Sequence, residues 1–250
     1  MVQERTVLIG DQSYVVVVSD QIEALLAAQA AGRAVLGIEE ENQWNLKGIP
    51  YVVPSEEAVT EELLELVLRR YLGLPWLICR TERLTIRELT QEDVFHIPKK
   101  EWRQQEAVFY HSDSLASYIE NQYRFYEYGI WAVVHRRTGQ LIGLAGVSNP
   151  GLPEEMEAYL DQMKNTLWLE LGYHVFRSWR RQGYGREAAA AVMGYSHQVL
   201  EARLCALINR DNGASLQLAE RLGMNAVMKG SFPFGEQQEG ILYTEPPLPI

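Results

Sequence analysis

The chain has 250 residues, 47% of them hydrophobic, enough for packed cores in one large domain or two small ones and without a disorder signature. No apolar run approaches the ~18 residues of a membrane span, and the start, Met1-Val2-Gln3-Glu4-Arg5, lacks the basic and apolar regions of a secretion signal. A net charge of −10 argues against general affinity for nucleic acid, and two cysteines in unrelated segments, Cys79 and Cys205, argue against a disulfide framework and for a reducing cytoplasm.

The first 78 residues read as a small α/β unit. Thr6–Ile9 and Tyr14–Ser19 are β-rich and separated by the turn residues Gly10-Asp11-Gln12-Ser13. Asp20 is placed to cap a helix over Gln21–Ala31 that stops at Gly32. Ala34–Ile38 and Tyr51–Val53 predict two more strands. A helix is expected from Ser55 to about Tyr71, with Val59, Leu63, Val67 and Tyr71 as its apolar stripe and Gly73-Leu74-Pro75 as its end. The stretch from Val16-Val17-Val18-Ser19-Asp20 through Ala30-Ala31-Gly32 to Val35–Ile38 resembles the C-terminal half of haloacid dehalogenase-like phosphatase cores. That family's nucleophilic Asp-x-Asp is absent, so the resemblance implies a non-catalytic remnant, acting as a docking or substrate-covering module.

A boundary is expected near Arg80, giving units 1–79 and 80–250. Arg83–Leu89 alternates with period two and predicts an opening strand. Thr90, with Glu92 and Asp93 behind it, starts a helix. A second helix runs from about Ser112 to Tyr128 with Leu115, Tyr118, Ile119, Gln122 and Phe125 along one side, closed by Gly129. Ile130–Arg136 and Leu141–Ser148, joined by Arg137-Thr138-Gly139-Gln140, read as a β-hairpin. The long segment Asn149 to Asn165 carries Pro150, Gly151 and Pro153, then a helical run with an acidic face of Glu154, Glu155, Glu157 and Asp161, suited to a basic acceptor or simply to solvent.

Residues 167–223 carry most of the chemistry. A strand-like run, Leu167–Phe176, leads into Arg180-Arg181-Gln182-Gly183-Tyr184-Gly185-Arg186, and a helix-like run, Glu187–Leu200, leads out. Strand, Gly-containing turn with arginines, then helix N-terminus is a recipe for holding phosphates: first-turn N–H groups lack intrahelical acceptors, and the helix dipole adds positive potential. Residues 170–210 hold six arginines against three glutamates in a chain whose first 80 residues hold 6 Lys/Arg against 12 Asp/Glu. Arg203–Asn209 is a strand, Asn212 caps a helix ending at Gly223, and Met224–Lys229 and Gly240–Thr244 finish as strands. Cys205 lies in an apolar run and reads as a small buried residue rather than a nucleophile. His96, His111, His135 and His197 show no metal-ligand spacing, so no metal is expected.

Three blocks, in order and at these spacings, carry a resemblance: Arg180-x-x-Gly183-x-Gly185; Leu169-Glu170-Leu171-Gly172-Tyr173 just before it; and Asn209-x-x-Asn212-x-x-Ser215 followed by Ala219–Met224. Over residues 82–246 the chain is similar to the GNAT N-acetyltransferase superfamily, most of all to the subgroup that acetylates ribosomal-protein N-termini and related amines. The resemblance implies an α/β (α+β) fold, a mixed central sheet of the acyl-CoA N-acyltransferase type, beside the smaller N-terminal unit. It implies acetyl-CoA as co-substrate and direct transfer of acetyl to a primary amine of a small molecule or protein N-terminus, by a monomer or homodimer with no membrane or nucleic-acid partner. The pyrophosphate is expected on the backbone of Arg181, Gln182, Gly183, Tyr184, Gly185 and Arg186, with charge from Arg180, Arg181 and Arg186. The pantetheine arm is expected along the edge His174–Phe176, with contacts from Asn209 and Asn212. Glu170 is the candidate base, directly or through a water. His174, on the same strand face, is the second candidate, because an imidazole titrates near neutrality. Ser215 is expected near the thioester sulfur; Tyr195 is expected to be structural. A non-catalytic CoA or acyl-CoA sensor is the alternative reading.

Overall fold

The computed structural model describes residues 1–39, 45–101, 108–231 and 239–246. The chain divides into two compact units, Met1–Trp76 and Leu77–Ile250.

In the smaller unit, β1 (Val2–Ile9) and β2 (Gln12–Ser19) form an antiparallel hairpin, and β3 (Ala34–Ile38) and β4 (Val52–Val53) continue the sheet in parallel. Helix α1 (Ile22–Ala30) lies on one face, and α2 (Glu61–Leu72) on the other. The run Val16-Val17-Val18 serves both: Val16 and Val18 face Leu64, Val67 and Leu68, whereas Val17 joins Leu25 and Ala28. That two-sided burial is why the strand is continuously apolar rather than alternating. Each fully buried leucine here, such as Leu25 or Leu36, contributes about 2 kcal/mol of transfer free energy.

Several local expectations shift. Asp20 does not cap α1; Gln21 holds the cap position, and Ser19 Oγ accepts its N–H at 3.0 Å. Ser55 opens only a 3-10 turn (Glu56–Ala58), and the helix proper is capped by Thr60, whose side chain accepts from Leu63 N. The buried stripe is therefore Leu64, Val67 and Leu68, and Tyr71 stays half exposed. Gly73 ends the helix in the left-handed conformation as expected.

The larger unit holds β5 (Leu77–Arg80), β6 (Leu84–Arg87), β7 (Ile130–His135), β8 (Leu141–Ser148), β9 (Leu167–Val175), β10 (Ala202–Asn209), β11 (Asn225–Ser231) and β12 (Glu239–Thr244), in the order β11-β12-β10-β9-β8-β7-β6-β5. β5 takes Leu77–Cys79 into this sheet, so those residues lie in the larger unit, on the other side of the boundary expected near Arg80. All its strand pairs are antiparallel except β9–β10. Helix α5 (Tyr184–Gln198) packs on β8, β9 and β10 through Ala188, Ala189 and Val192, and Tyr195 meets the fully buried Trp131 edge to face at 5.4 Å. On α4 (Glu154–Asp161), Met156 and Leu160 cluster with Trp168, Cys205 and Leu242.

Helix α3 (Ser112–Phe125) is tied to the start of β7 by two tyrosines: Tyr118 Oη accepts from Ile130 N at 2.7 Å, and Tyr123 Oη donates to Ile130 O at 2.5 Å. Its buried residues are Leu115 and Tyr123, and Phe125, at the fraying last turn, is exposed. The expected helix after Thr90 is a 3-10 turn, Gln91–Phe95, fixed by Asp93, which accepts from Thr90 N at 2.7 Å and pairs with both terminal nitrogens of Arg87 at 2.7 and 2.9 Å. β8 needs glycine at 146, where a Cβ would stand 2.0 Å from Gly129 O.

Candidate active site

The sheet opens in its middle. β9 and β10 pair in parallel only over Ala202↔Leu167 to Cys205↔Glu170; beyond that, β9 continues along β8 and β10 along β12 without pairing to each other. Past Glu170 the facing edges of two central strands are unpaired, so a fork forms with residues 171–175 on one side and 206–209 on the other.

Glu170 occupies the apex. Its carboxylate accepts from Leu207 N and from Gly151 N, each at 3.4 Å, so it bridges the opening edge of β10 and the loop before α4. Burial pushes its carboxyl above the ordinary glutamate range, and the two backbone N–H groups only partly pull it back. Among the described residues no cation pairs with it. An unpaired, desolvated carboxylate at the base of an open fork is equipped to take a proton. Cys205, opposite Glu170 in the last pair, is fully buried, and burial together with the nearby carboxylate pushes its thiol far up. It is inert packing, as its sequence context suggests.

At the other end of β9 the chain makes a 3-10 turn (Arg177–Trp179) and then the loop into α5. Arg181 has φ 60° and Gly183, the residue preceding the helix, φ 85°. These left-handed residues turn the loop so that the N–H groups of Tyr184, Gly185 and Arg186 stand at the open helix N-terminus. Glu187 latches this end to the β5–β6 turn: it accepts from Thr81 Oγ1 at 2.5 Å and Arg83 N at 3.0 Å, and pairs with the Arg83 guanidinium at 2.6 Å. Burial pushes the Glu187 carboxyl up, but these bonds together hold it below its usual range. Arg83 also lies 4.4 Å from the Tyr184 ring centroid, and the Tyr184 side chain is buried against Trp179 and His135. Tyr184 can therefore offer an anion only its backbone N–H.

The structure separates the two candidate bases. Glu170 and His174 are four residues apart along β9, roughly 13 Å, so they cannot serve one proton. His174 belongs to a different cluster: its Nε2 lies 3.2 Å from Glu101 Oε2 and 3.2 Å from Arg180 Nη2. Glu101 also accepts the Arg177 N–H with both oxygens, at 3.1 and 3.0 Å, and pairs with Arg180 at 3.1 Å. Arg180 in turn donates to Val175 O at 2.7 Å. Its guanidinium is engaged in fixing the loop, where the sequence reading had it bonding phosphate. Phe176 is buried and its N–H goes to Ile142 O on β8, so it does not present an open edge as expected. Asn209 stands at the end of the β10 side of the fork, and its side chain accepts from Asp211 N at 2.8 Å, shaping its own turn.

The second wall is α6 (Gly213–Arg221). Asn212 caps it, its Oδ1 accepting from Ser215 N at 3.2 Å. Ser215 Oγ accepts a 3.0 Å bond from Tyr173 Oη, which crosses from β9. Between the walls lies a cleft of about 640 Å³ lined by Tyr173–Val175, Arg180, Arg181, Gly185 and Arg186 on one side and Asn212, Ser215 and Arg221 on the other. Gln182 stands outside this lining, its side chain donating to Ser178 O at 3.3 Å. Arg181, Arg186 and Arg221 give the cleft its positive charge.

Sequence reasoning missed Tyr173, Glu101 and Arg221. Tyr173 was within reach, because strand alternation puts it on the face opposite Glu170 and His174, toward α5: a Cβ on Gly185 would lie 3.8 Å from its ring. Glu101 carries no local signal, since its partners lie more than 70 residues away.

A mixed sheet forked between its two parallel strands, with a helix N-terminus at the mouth, defines the acyl-CoA N-acyltransferase fold. The sequence model of the GNAT acetyltransferase domain matches residues 83–225, and the chain belongs to that family. The uncharacterized protein YkkB of Bacillus subtilis (strain 168) is 31% identical over 101 residues, covering 40% of this chain and 52% of YkkB; the chain thus spans about half the length of that relative. Two solved structures share the fold. The ribosomal-protein-S5-alanine acetyltransferase of Vibrio fischeri superposes with TM-score 0.53 at 14% identity, over 69% of this chain and 96% of that one. The ribosomal L7/L12 alpha-N-protein acetyltransferase RimL, in complex with coenzyme A, gives 0.53 at 14% identity, over 68% and 97%.

Proposed function

We propose that the protein is an acetyl-CoA-dependent N-acetyltransferase that moves acetyl directly to a primary amine of a small molecule or a protein N-terminus. The observation that carries this reading is the fork between β9 and β10: an unpaired, desolvated carboxylate stands at its apex, and farther along β9 a positively lined cleft meets an anion-receptive helix N-terminus. The pyrophosphate sits on the N–H groups of residues 184–186, with charge from Arg181, Arg186 and Arg221. The pantetheine arm lies in the fork along β9 residues 171–175, and the acetyl group reaches the apex. That RimL, on the same fold, holds coenzyme A supports coenzyme A as the ligand of this cleft.

Glu170 takes the proton of the arriving amine, whose nitrogen then attacks the thioester carbonyl. Its raised carboxyl pKa narrows the gap to an ammonium and makes that transfer less uphill. The tetrahedral oxyanion meets N–H groups on the open edge of β9. Collapse breaks the C–S bond, with its electron pair going to sulfur near Ser215, and the second nitrogen proton passes to water as the amide forms. Working in a reducing cytoplasm as a monomer or homodimer, without nucleic acid, fits the acidic charge and the two unpaired cysteines. The acceptor is found by incubating the protein with acetyl-CoA and a panel of amines and N-terminal peptides while following free thiol. Amine-dependent thiol release with matching amide supports the reading; acetyl-CoA binding without release for any amine, the behaviour of a sensor, contradicts it.

A further inference from the structure

Tyr173 has no role in the scheme above, yet it is the side chain that crosses the cleft floor. It leaves β9 beyond the last β9–β10 pair, and its Oη donates to Ser215 Oγ on α6 at 3.0 Å. The consequence for Ser215 is one of proton direction. A serine hydroxyl has one proton and two acceptor sites. Left alone near a helix start, it gives that proton to its own helix or neighbouring backbone. The protein contains the contrasting case: Ser196, on α5, donates to Val192 O one turn back at 2.9 Å. Ser215 makes no such bond among the described residues. Its peptide N–H is taken by Asn212 and its oxygen by Tyr173, so its hydroxyl proton is left to point into the cleft.

We infer that Tyr173 is a positioning residue: by donating to Ser215 Oγ it fixes Ser215 as a hydrogen-bond donor toward the sulfur of the bound thioester, where negative charge develops as the C–S bond breaks. This rests on the acetyl-CoA reading of the cleft. When the bond breaks, its electron pair goes to sulfur. No proton leaves Ser215 or Tyr173; the first proton of the acceptor ammonium goes to Glu170, the second passes to water as the amide forms, and the thiolate is protonated from water on release. Two hydroxyls in series polarise one another, so the Ser215 donor is stronger than an isolated serine. Burial pushes the Tyr173 phenol up, which keeps it a neutral donor across the working pH range.

The test needs no acceptor. CoA itself is the probe: its thiolate absorbs in the ultraviolet, and its titration on the protein is followed by difference spectroscopy for wild type, Tyr173→Phe, Ser215→Ala and the double variant. The expected result is a bound-thiol pKa that rises by about 0.5–1 pH unit in Tyr173→Phe. Ser215→Ala should raise it at least as far, and Tyr173→Phe should add nothing to Ser215→Ala. CoA affinity should hold within about threefold in Tyr173→Phe, which keeps the ring and its packing. A pKa identical in wild type and Tyr173→Phe overturns the inference and leaves the CoA reading intact. So does a shift that persists undiminished in the Ser215→Ala background. Absence of CoA binding to wild type overturns both.

Discussion

Glu170 and His174 show what alternation along a strand can and cannot tell. Both side chains lie on the face that period two predicts, but their surroundings divide the work: Glu170 is left unpaired at the fork, and His174 is drawn into the Glu101–Arg180 cluster. That choice was invisible in the sequence, because Glu101 arrives from a turn far upstream. Replacement Glu170→Gln should lower kcat/KM on the order of 10²-fold, with acetyl-CoA binding retained. A base works when deprotonated, so wild-type kcat/KM should fall as pH drops through the Glu170 pKa. Because burial raises that pKa, the acid limb should lie above the ordinary glutamate range and disappear in the variant. A pH–rate profile checks both.

Among the elements, those with strong punctuation were legible. The hairpin β7–β8, strand β3, the Asn212 cap and the Gly73 stop fall where turn and cap chemistry put them. The short 3-10 turns were read as helices, because a capping residue followed by acids looks the same whether one turn follows or four. The turn after Thr90 matters nonetheless, since it carries the Arg87–Asp93 pair. Burial pushes the Asp93 carboxyl up, but the Arg87 and Thr90 bonds outweigh it, and the net position is below the usual value of 3.8. A lowered pKa contributes stability that is present above the unfolded value and lost as pH falls through the folded one. Asp93→Asn should therefore cost about 2 kcal/mol at pH 7 in urea denaturation, less than a fully buried pair because Arg87 keeps some solvent. The difference should shrink as pH falls below 3.8.

For the molecule as a whole, the uneven charge seen in the sequence becomes spatial. An acidic chain of net −10 gathers Arg181, Arg186 and Arg221 around one cleft, facing a helix N-terminus. The loop into α5 was legible because it rests on local features, a left-handed glycine and a helix start. The fork was not, because strand pairing that stops at Glu170 leaves no mark on the hydrophobic pattern. The surroundings of Glu170 were not, because they are shaped by the α4 loop through a contact, Gly151 to Glu170, that no motif encodes. The most direct test of the account is calorimetric titration of CoA into wild type and Gly183→Asp. Aspartate tolerates the φ of 85° better than most residues, and its Cβ would meet only the flexible end of Arg83 at 3.2 Å, so the fold should survive. Its carboxylate would instead occupy the helix N-terminus and repel the pyrophosphate. The account predicts saturable one-to-one binding by wild type and at least a 30-fold loss, about 2 kcal/mol, in the variant; no heat with wild type, or equal affinity in both, would contradict it.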